Sequence, residues 1–489
     1  MSHEPLPVII QGGMGAGVSG YRLANAVSRT GQLGVVSGTA LDVILPRRLQ
    51  MGDPGGHMRR ALKHFPIPGV ADRIIERYYI QGGKAPDAPF KPKPVPSPQP
   101  GRHLQELLVA SNFAEVWLAR EGHDNPVGIN YLEKIQLPTL PSLYGALLAG
   151  VSYVLMGAGI PRTIPGILDS LVDGQPVQLK LDVKGADRDE EFFTHFDPDE
   201  FSEGRVPWLF RPKFLAIIST AVLASMLVKK ATGRVDGFIV ELPTAGGHNA
   251  PPRGPLQLDD GGEPIYGERD DPNLAAMREL ERPFWLAGSY AHPHRLVEAL
   301  NLGATGIQVG TAFAYSNESD LDAALKRRIL AASAAGSSRV FTDPVASPTG
   351  FPFKVVQLDD TISNQQKYEE RTRICDLSYL RHAYKTPEGK VGWRCPSEPV
   401  DDFVRKGGKL DETVGRKCVC NGLMSNIGLG QIQRDGELEK PLVTSGDDVA
   451  TVARFLPPGA ESYTAADVVR ELMQDHEAGV GLEREASVV

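Results

Sequence analysis

Between residues 8 and 309, short apolar runs typical of β-strands alternate with segments typical of helices. Few folds are compatible with such an alternation of strands and helices. Strands that alternate with helices form parallel sheets, and eight of them fit a closed (β/α)₈ barrel. We therefore predict an α/β fold of the TIM-barrel class. The apolar runs are residues 8–11, 33–37, 127–131, 153–156, 214–219, 237–242, 284–287 and 306–309. The helical segments between them are residues 21–30, 143–149, 164–171, 221–231, 274–280 and 293–302.

Two insertions interrupt the alternation, at about residues 38–107 and 182–211. The first holds seven prolines between residues 84 and 100, a composition typical of an extended, polyproline-like connector or lid. The second is rich in acidic residues, which predicts a solvated excursion. We assign the apolar run 177–183 to this second insertion rather than to a ninth barrel strand.

The alternation stops near residue 353. We predict a barrel domain over residues 1–352 and a mainly helical, cysteine-bearing extension over residues 353–489.

Composition excludes several classes of protein. The chain of 489 residues is 41% hydrophobic and 23% charged, values ordinary for a globular enzyme. Its net charge of −8 argues against a nucleic-acid partner. It shows neither a signal-peptide pattern nor a run of about eighteen apolar residues, so we expect a cytoplasmic protein without a membrane span. The expected partner is a small-molecule substrate, and a homo-oligomer is left open.

The apolar run at residues 238–242 leads to two glycines, Gly246 and Gly247, and then to His248. Glycine lets the backbone pass close to a flat ligand, and histidine exchanges a proton near neutral pH. Parallel barrels present their catalytic groups at the carboxyl ends of the strands. His248 is therefore a candidate catalytic residue, with a plain loop histidine after a glycine turn as the alternative.

Small residues follow the last two predicted strands, Gly288 and Ser289 after the seventh and Gly310 and Thr311 after the eighth. In (β/α)₈ barrels such loops bind phosphate through backbone N–H groups and a helix N-terminus. Each pair alone also fits a tight turn, but together they indicate a cofactor phosphate site.

Residues 15–20 match the G-x-G-x-x-G pattern of dinucleotide-binding Rossmann folds. That fold also needs an acidic residue near the end of the second strand, where this chain has residues 36–39, Val-Ser-Gly-Thr. We favour the interpretation that these glycines let the first strand lie against a ring system.

Taken together, the motifs resemble the nitronate monooxygenase family, formerly called 2-nitropropane dioxygenases, which includes related FMN-dependent enoyl reductases. The resemblance spans roughly residues 6–350. The matching residues are Ile9-Ile10-Gln11-Gly12-Gly13-Met14, Asn130, Ala245-Gly246-Gly247-His248, Ala287-Gly288 and Gly310-Thr311.

The resemblance implies an FMN-binding barrel in which His248 matches the catalytic base. Residues of the first strand would lie by the isoalloxazine ring, and the two late loops would hold the phosphate. The implied cofactor-binding residues are Gln11, Gly12, Gly13, Met14, Asn130, Gly246, Gly247, Gly288, Ser289, Gln308, Gly310 and Thr311. The chain departs from the family at Pro243-Thr244, where an acid is common, at Ser289, where glycine is usual, and in the stiffer loop 249–254.

Three functions follow as hypotheses. The first is an FMN-dependent monooxygenase that oxidises a carbon acid or nitronate, with His248 taking the proton. The second is an enoyl reductase in which NAD(P)H reduces FMN, an activated alkene receives the hydride and His248 donates the proton; the two insertions would then help to enclose a longer acyl substrate. The third is a flavin- or metal-binding scaffold that docks a partner through its C-terminal extension.

All four cysteines of the chain fall in the predicted extension: Cys375, Cys395, Cys418 and Cys420. Four thiolates can hold zinc or an iron–sulfur cluster, although this spacing matches no strong motif. The alternative is a set of buried thiols that pack as small hydrophobic groups. His292 and His294, by contrast, flank Pro293 and are assigned to a helix start rather than to a metal pair.

Overall fold

The computed structural model describes residues 5–486, and it places eight parallel strands in a closed barrel. The ring closes where the first strand pairs with the eighth, with Ile9 opposite Ile307, and with the second, with Ile10 opposite Leu33. This confirms the predicted TIM barrel and overturns the Rossmann alternative, which requires an open sheet. The strands are β1 (Ile9–Gln11), β2 (Leu33–Ser37), β3 (Val127–Leu132), β4 (Tyr153–Gly157), β5 (Lys213–Ile218), β6 (Gly237–Glu241), β7 (Phe284–Ala287) and β8 (Gly306–Val309).

The barrel strands are apolar on both faces because side chains fill the interior while helices cover the outside. Along β1, Ile10 belongs to the interior cluster and Ile9 to the outer one. Trp285 is completely buried inside the barrel, and its indole Nε1 donates a hydrogen bond of 2.7 Å to the carbonyl of Pro7. The interior is therefore a packed core, and ligands are confined to its rim.

Helices follow the barrel strands in the expected order, and short polar caps start several of them. The Thr220 hydroxyl accepts from the N–H of Leu223, and the Asp322 carboxylate accepts from the N–H of Leu325. The helices that cover the barrel are Tyr21–Ser28, Arg102–Ala119, Thr139–Leu148, Ile164–Val172, Ala221–Lys230, Leu274–Glu279, Pro293–Asn301, Thr311–Ala314 and Ala323–Ala334, with a 3₁₀ turn at Glu268–Asp270.

The first insertion is a helical layer followed by the proline-rich segment, residues 84–100, which has neither helix nor strand. Lys93 anchors that segment through an ion pair of 2.7 Å with the fully buried Asp42. The predicted connector is thus fixed against the helix that follows β2. The helical elements of this layer are Leu41–Gln50, Pro54–Gly56, His57–Lys63 and Val70–Tyr78.

The second insertion forms a small antiparallel sheet outside the barrel. Strand Val177–Lys180 pairs with Phe193–Phe196, so the apolar run at 177–183 is not a ninth barrel strand, as predicted. The short strand Val183–Lys184 pairs with His382–Lys385 of the extension, and helix Pro198–Ser202 follows.

The extension begins with a hairpin of Val340–Asp343 and Phe353–Val356. The predicted boundary between residues 352 and 353 lies inside this hairpin. The remaining strands of the extension are His382–Lys385 and Val391–Arg394, and its helical elements are Gln365–Glu370, Val400–Arg405, Leu410–Thr413, Val419–Asn426, Asp447–Phe455 and Ala465–Ala486. Within residues 5–486, no helix combines the length and apolarity needed to cross a membrane.

Candidate active site

A cavity of about 200 Å³ opens at the rim of the barrel where the parallel strands end. Every strand contributes a residue at or just after its carboxyl end, which is where (β/α)₈ enzymes build their sites. These residues are Gly12, Ser37, Asn130, Gly157, Ile217, Glu241, Ala287 and Val309. The cavity is also lined by most of the residues predicted to bind a cofactor: Gly12, Gly13, Met14, Asn130, Gly246, Gly247, Gly288, Ser289, Gln308, Gly310 and Thr311.

Gln11 does not line the cavity. Its side chain is fully buried and bridges to β2, accepting from the N–H of Val35 at 3.1 Å and donating to the carbonyl of Val35 at 3.2 Å. It also donates to the Ser19 hydroxyl at 3.0 Å. Gln11 therefore fixes the loop that follows β1, residues 12–20, which is called the β1 loop below. The glycines after Gln11 face the cavity.

His248 lies on the cavity wall, and its imidazole contacts the first of two serine and threonine hydroxyls that are hydrogen-bonded to each other. Its Nε2 is 2.7 Å from Ser347 Oγ, which is 2.8 Å from Thr349 Oγ1. The ring also packs against Phe353, with centroids 4.6 Å apart. Burial lowers the pKa of His248 to about 4, so the imidazole is neutral at neutral pH and able to accept a proton.

The backbone around His248 is held by the extension. The N–H of Lys354 donates to the carbonyl of Gly247 at 3.0 Å, and the N–H of Asn249 donates to that of Pro352 at 2.9 Å. From a third direction, the Thr444 hydroxyl accepts from the N–H of Gly247 at 3.0 Å. The loop after β6 is therefore clamped between two segments that come after the barrel in the sequence.

Glycine is required where the β1 loop meets neighbouring side chains. A Cβ on Gly13 would lie 2.5 Å from the Cβ of Asn130, and one on Gly12 would lie 3.2 Å from Gln308 Cδ. Asn130 itself is oriented by hydrogen bonds from its amide to the carbonyls of Tyr131 and Leu155. The β1 loop thus leaves a flat, side-chain-free strip of backbone along the cavity.

The loop after β7, which the sequence predicts to bind phosphate, turns sharply and lies beside a carboxylate. Gly288 and Ser289 adopt positive φ angles of 100° and 54°, which turns the backbone sharply before the helix that begins at Pro293. The Asp448 carboxylate lies beside the Ser289 hydroxyl and the N–H of Ala291. Burial raises the pKa of Asp448, and these two groups partly oppose that rise.

The extension also contacts the loop after β8, the second loop that the sequence predicts to bind phosphate. The Thr311 hydroxyl accepts from the N–H of Gly446 at 2.9 Å. Segment 443–448 therefore lies across both loops, and the sequence motifs did not assign it to the site.

Glu241 is a second titratable group on the cavity wall that the sequence motifs did not reveal. It ends β6, the strand that leads to His248, and burial raises its pKa to about 8. The family pattern places its acid closer to the glycines, where this chain has Pro243-Thr244. A signal was nonetheless present in the sequence, because an acid at the carboxyl end of a barrel strand points to chemistry.

Three buried polar atoms on the cavity wall have no hydrogen-bond partner among the described side chains, residues 5–476: Thr244 Oγ1, Gln308 Oε1 and Asn426 Oδ1. A buried polar group without a partner costs about 1–3 kcal/mol, so the wall is suited to a polar ligand. FMN carries ring amide groups, hydroxyls and a phosphate. The glycine strip, these polar atoms and the two loops fit such a cofactor, whereas the Asp448 carboxylate opposes its phosphate.

The four cysteines of the extension lie close together. Cys375, Cys395, Cys418 and Cys420 line one small cavity of about 10 Å³, but among the side chains that the structure describes, those of residues 5–476, no group of three or more from His, Cys, Asp or Glu is arranged to hold a metal ion. Burial raises the pKa of each thiol, that of Cys418 to about 12, so all four stay protonated at neutral pH. The predicted zinc or iron–sulfur site therefore gains no support, because these thiols pack as neutral groups.

His292 and His294 lie at the start of helix Pro293–Asn301, as predicted, with their rings 4.1 Å apart. In the described part of the chain they belong to no metal-binding group.

No protein-family model and no curated protein matches this chain. Among solved structures, it is similar to FabK from Thermotoga maritima, with a TM-score of 0.48 and 16% identity over 98% of this chain and 96% of that one. It is also similar to nitroalkane oxidase from Streptomyces ansochromogenes, with a TM-score of 0.45 and 16% identity over 97% and 98% of the two chains.

A third similar structure is the enoyl reductase domain of MlnA from the macrolactin biosynthesis cluster of Bacillus amyloliquefaciens. Its TM-score is 0.47, with 10% identity over 99% of this chain and 97% of that one. Similarities at this level carry no conclusion about the activity of the present protein.

Proposed function

We propose that this protein is an FMN-dependent oxidoreductase that oxidises a carbon acid or nitronate, with His248 as the proton-transfer group. The observation that carries the proposal is the neutral imidazole on the wall of a glycine-lined cavity at the barrel rim. The sequence motifs support it, because they resemble those of the nitronate monooxygenase family. When bound, FMN supplies the two-electron acceptor, and the residues of the chain orient the reactants.

The residues around the cavity have three separate roles in this proposal: contact with the flavin ring, binding of the phosphate and transfer of a proton. The glycine strip after β1 and Asn130 would lie along the flavin ring, while Ser289 and Thr311 would hold the phosphate. His248 would accept the proton from the carbon next to the electron-withdrawing group of the substrate. If Nε2 donates to Ser347 and Ser347 to Thr349, then Nδ1 is the nitrogen left to accept that proton.

Anaerobic mixing tests this proposal. We expect propane-2-nitronate to bleach the visible absorption of the FMN-loaded protein. His248→Ala should retain FMN but lose at least about 100-fold in rate, the usual contribution of a general base. His294→Ala, an exposed histidine on the same face of the barrel, should behave as the wild type. Turnover by His248→Ala within a few-fold of the wild type would refute the assigned role, and failure to bind FMN would refute the cofactor.

A second candidate function, NAD(P)H-dependent reduction of an activated alkene, is favoured by Glu241. With its pKa raised to about 8, this side chain is protonated at neutral pH and can donate. In such a reaction one alkene carbon receives a hydride, which comes from NAD(P)H, and the neighbouring carbon receives a proton from Glu241. Bleaching of the flavin by NAD(P)H without nitronate would favour reduction, and bleaching by nitronate alone would favour oxidation.

A non-catalytic scaffold, the third hypothesis, makes a distinct prediction. Robust turnover by the isolated protein that disappears in His248→Ala while the flavin is retained would exclude it.

A further inference from the structure

A second cavity lies beside the active site, and the two insertions and the extension build it. Its volume is about 440 Å³, within the range of small-molecule sites. One wall is the loop after β3 at residues 134–138, another is residues 182–184 of the second insertion, and a third is residues 378–383 of the extension. Pro96 of the proline-rich segment completes it. A minimal (β/α)₈ barrel would have none of the last three parts.

The charges that line this cavity are mostly positive. Lys134, Lys184 and Arg381 line it, and Asp182 is the one acidic residue of the lining. The two lysines have carboxylate partners, Lys134 with Asp182 at 3.7 Å and Lys184 with Glu412 at 3.2 Å. The lining therefore carries more cations than carboxylates.

Arg381 has no carboxylate within ion-pair distance among residues 5–476. Its Nε donates to the carbonyl of Ser378 at 3.0 Å and its Nη2 to that of Pro96 at 2.8 Å, so both bonds go to neutral oxygens. Burial lowers the pKa of Arg381. The charge of Glu398 opposes this shift from beyond ion-pair distance. A half-buried guanidinium without a direct ion pair is costly, and an anionic ligand in the cavity would offset that cost.

An aromatic surface adjoins this cation. The Arg381 guanidinium lies over the Trp393 ring, 5.5 Å from its centroid, and both residues line the cavity. Leu137 and Leu380 add apolar surface. Burial lowers the pKa of His382, although the hydrogen bond of 2.6 Å between its Nε2 and the carbonyl of Pro348 opposes that shift, so this side chain adds no charge at neutral pH. The site therefore offers a stacking or apolar wall next to a group of three cations.

We propose that this second cavity binds an organic diphosphate, such as the ADP portion shared by coenzyme A and the nicotinamide dinucleotides. Arg381, the lining cation that forms no ion pair among residues 5–476, offers a planar fork that suits phosphate oxygens, and the two lysines can exchange their carboxylate partners for a second phosphate group. The aromatic and apolar wall accommodates the nucleoside. Binding at this site requires neither FMN nor the activity proposed above.

The position of the cavity links it to the active site. Thr349 lines the second cavity, and its hydroxyl bonds to Ser347, which bonds to His248. The wall of the second cavity and His248 are therefore connected by one pair of hydrogen-bonded hydroxyl groups.

Calorimetric titration of the full chain with ADP, in excess FMN that occupies the barrel rim, tests the proposal. We expect saturable binding that the charge-reversing double variant Lys134→Glu, Lys184→Glu weakens at least about tenfold. Both lysines are substantially exposed, so this variant keeps the fold intact. Arg381→Gln should weaken binding similarly. Lys180→Glu, which changes an exposed lysine of the same insertion outside the cavity, should leave the affinity unchanged.

Coenzyme A and NADPH then identify the source of the diphosphate, because the natural ligand should bind more tightly than ADP. Absence of saturable ADP binding, displacement of ADP by FMN, or an unchanged affinity in the double variant would each overturn the proposal. These outcomes do not depend on flavin bleaching, so they are distinguishable from a failure of the proposed oxidoreductase.

Discussion

Two titratable side chains of one cavity are shifted in opposite directions by the same cause. Burial disfavours the charged form of each, so it lowers the pKa of His248 to about 4 and raises that of Glu241 to about 8. Both are therefore uncharged near neutral pH. A neutral imidazole, which can accept a proton, and a protonated carboxyl group, which can donate one, therefore line the same cavity.

The raised pKa of Glu241 predicts a specific pH dependence of stability. Its folded-state pKa of about 8 lies above the ordinary value of 4.5, so the folded protein holds a proton that the unfolded chain releases. The free energy of unfolding should then fall as pH rises toward 8. Between about pH 6.5 and about pH 8.5 the loss is up to about 2 kcal/mol, and His248 contributes little in that window.

Urea denaturation of the wild type and Glu241→Gln at both pH values measures this effect. The variant should lack the part of the pH slope that Glu241 causes. Equal slopes in the two proteins would show that the carboxyl group is ionised in the folded state.

Asp448 is expected to weaken FMN binding because its carboxylate lies among the donors predicted to hold the phosphate. Asp448→Asn should therefore bind FMN about threefold to tenfold more tightly, a gain of roughly 0.7–1.4 kcal/mol. Quenching of FMN fluorescence gives the dissociation constants. Asp435→Asn, in an exposed loop, removes the same charge elsewhere and should have no effect. Weaker FMN binding by Asp448→Asn would instead show that the carboxylate assists the cofactor.

At the scale of elements, the loop after β6 and segment 443–448 are packed backbone to backbone. A Cβ on Gly246 would lie 2.6 Å from the N of Gly446 and 2.8 Å from the carbonyl carbon of Ser445. Neither backbone atom can move aside as a flexible side chain would. The loop after β6 can therefore pack against segment 443–448 only because residue 246 has no side chain.

Gly246→Ala should destabilise the protein by about 1–3 kcal/mol, the usual cost of forcing extra atoms into a packed contact. Chemical denaturation measures the change. Gly267→Ala is the matched control, since nothing lies within 4 Å of a Cβ there and its φ of −134° suits alanine. A wild-type stability in Gly246→Ala would mean that the two segments separate readily.

The local pattern of apolar residues predicted those elements that depend only on neighbouring residues in the sequence. All eight barrel strands were predicted, because each is a short apolar run that local patterning reveals. Parallel strands end on one face, so the order of strands and loops along the chain is enough to group His248 and the glycine loops at the rim.

The rest of the site depends on contacts between distant parts of the chain. Thr444 contacts Gly247 across 197 residues, and Ser347 contacts His248 across 99. No local pattern marks a serine or threonine as such a partner. The cysteines show a different limit of local patterns, because a cluster in sequence does not by itself produce the side-chain arrangement of a metal site, and none is found among the described residues.

At the scale of the whole molecule, barrel and extension share one hydrophobic core. A single buried cluster includes Ile9 of β1 and Leu472 of the last helix. Tyr463 of the extension donates to the carbonyl of Ala312, which follows β8, at 2.5 Å. Because the barrel rim is closed by segments that belong to this shared core, the two parts should unfold together.

A buried ion pair inside the extension tests that cooperativity. Arg371 and Glu439 form a bidentate pair, with distances of 2.6 and 2.8 Å, and their side chains are 10% and 2% exposed. Glu439→Leu leaves the arginine without its partner, which typically costs about 3–5 kcal/mol. Calorimetry should show one unfolding transition, shifted to lower temperature as a whole. Arg371→Met combined with Glu439→Leu should recover most of the loss, because no uncompensated charge then remains. An early separate transition in Glu439→Leu, with the barrel unfolding at its wild-type temperature, would show that the extension is an independent unit.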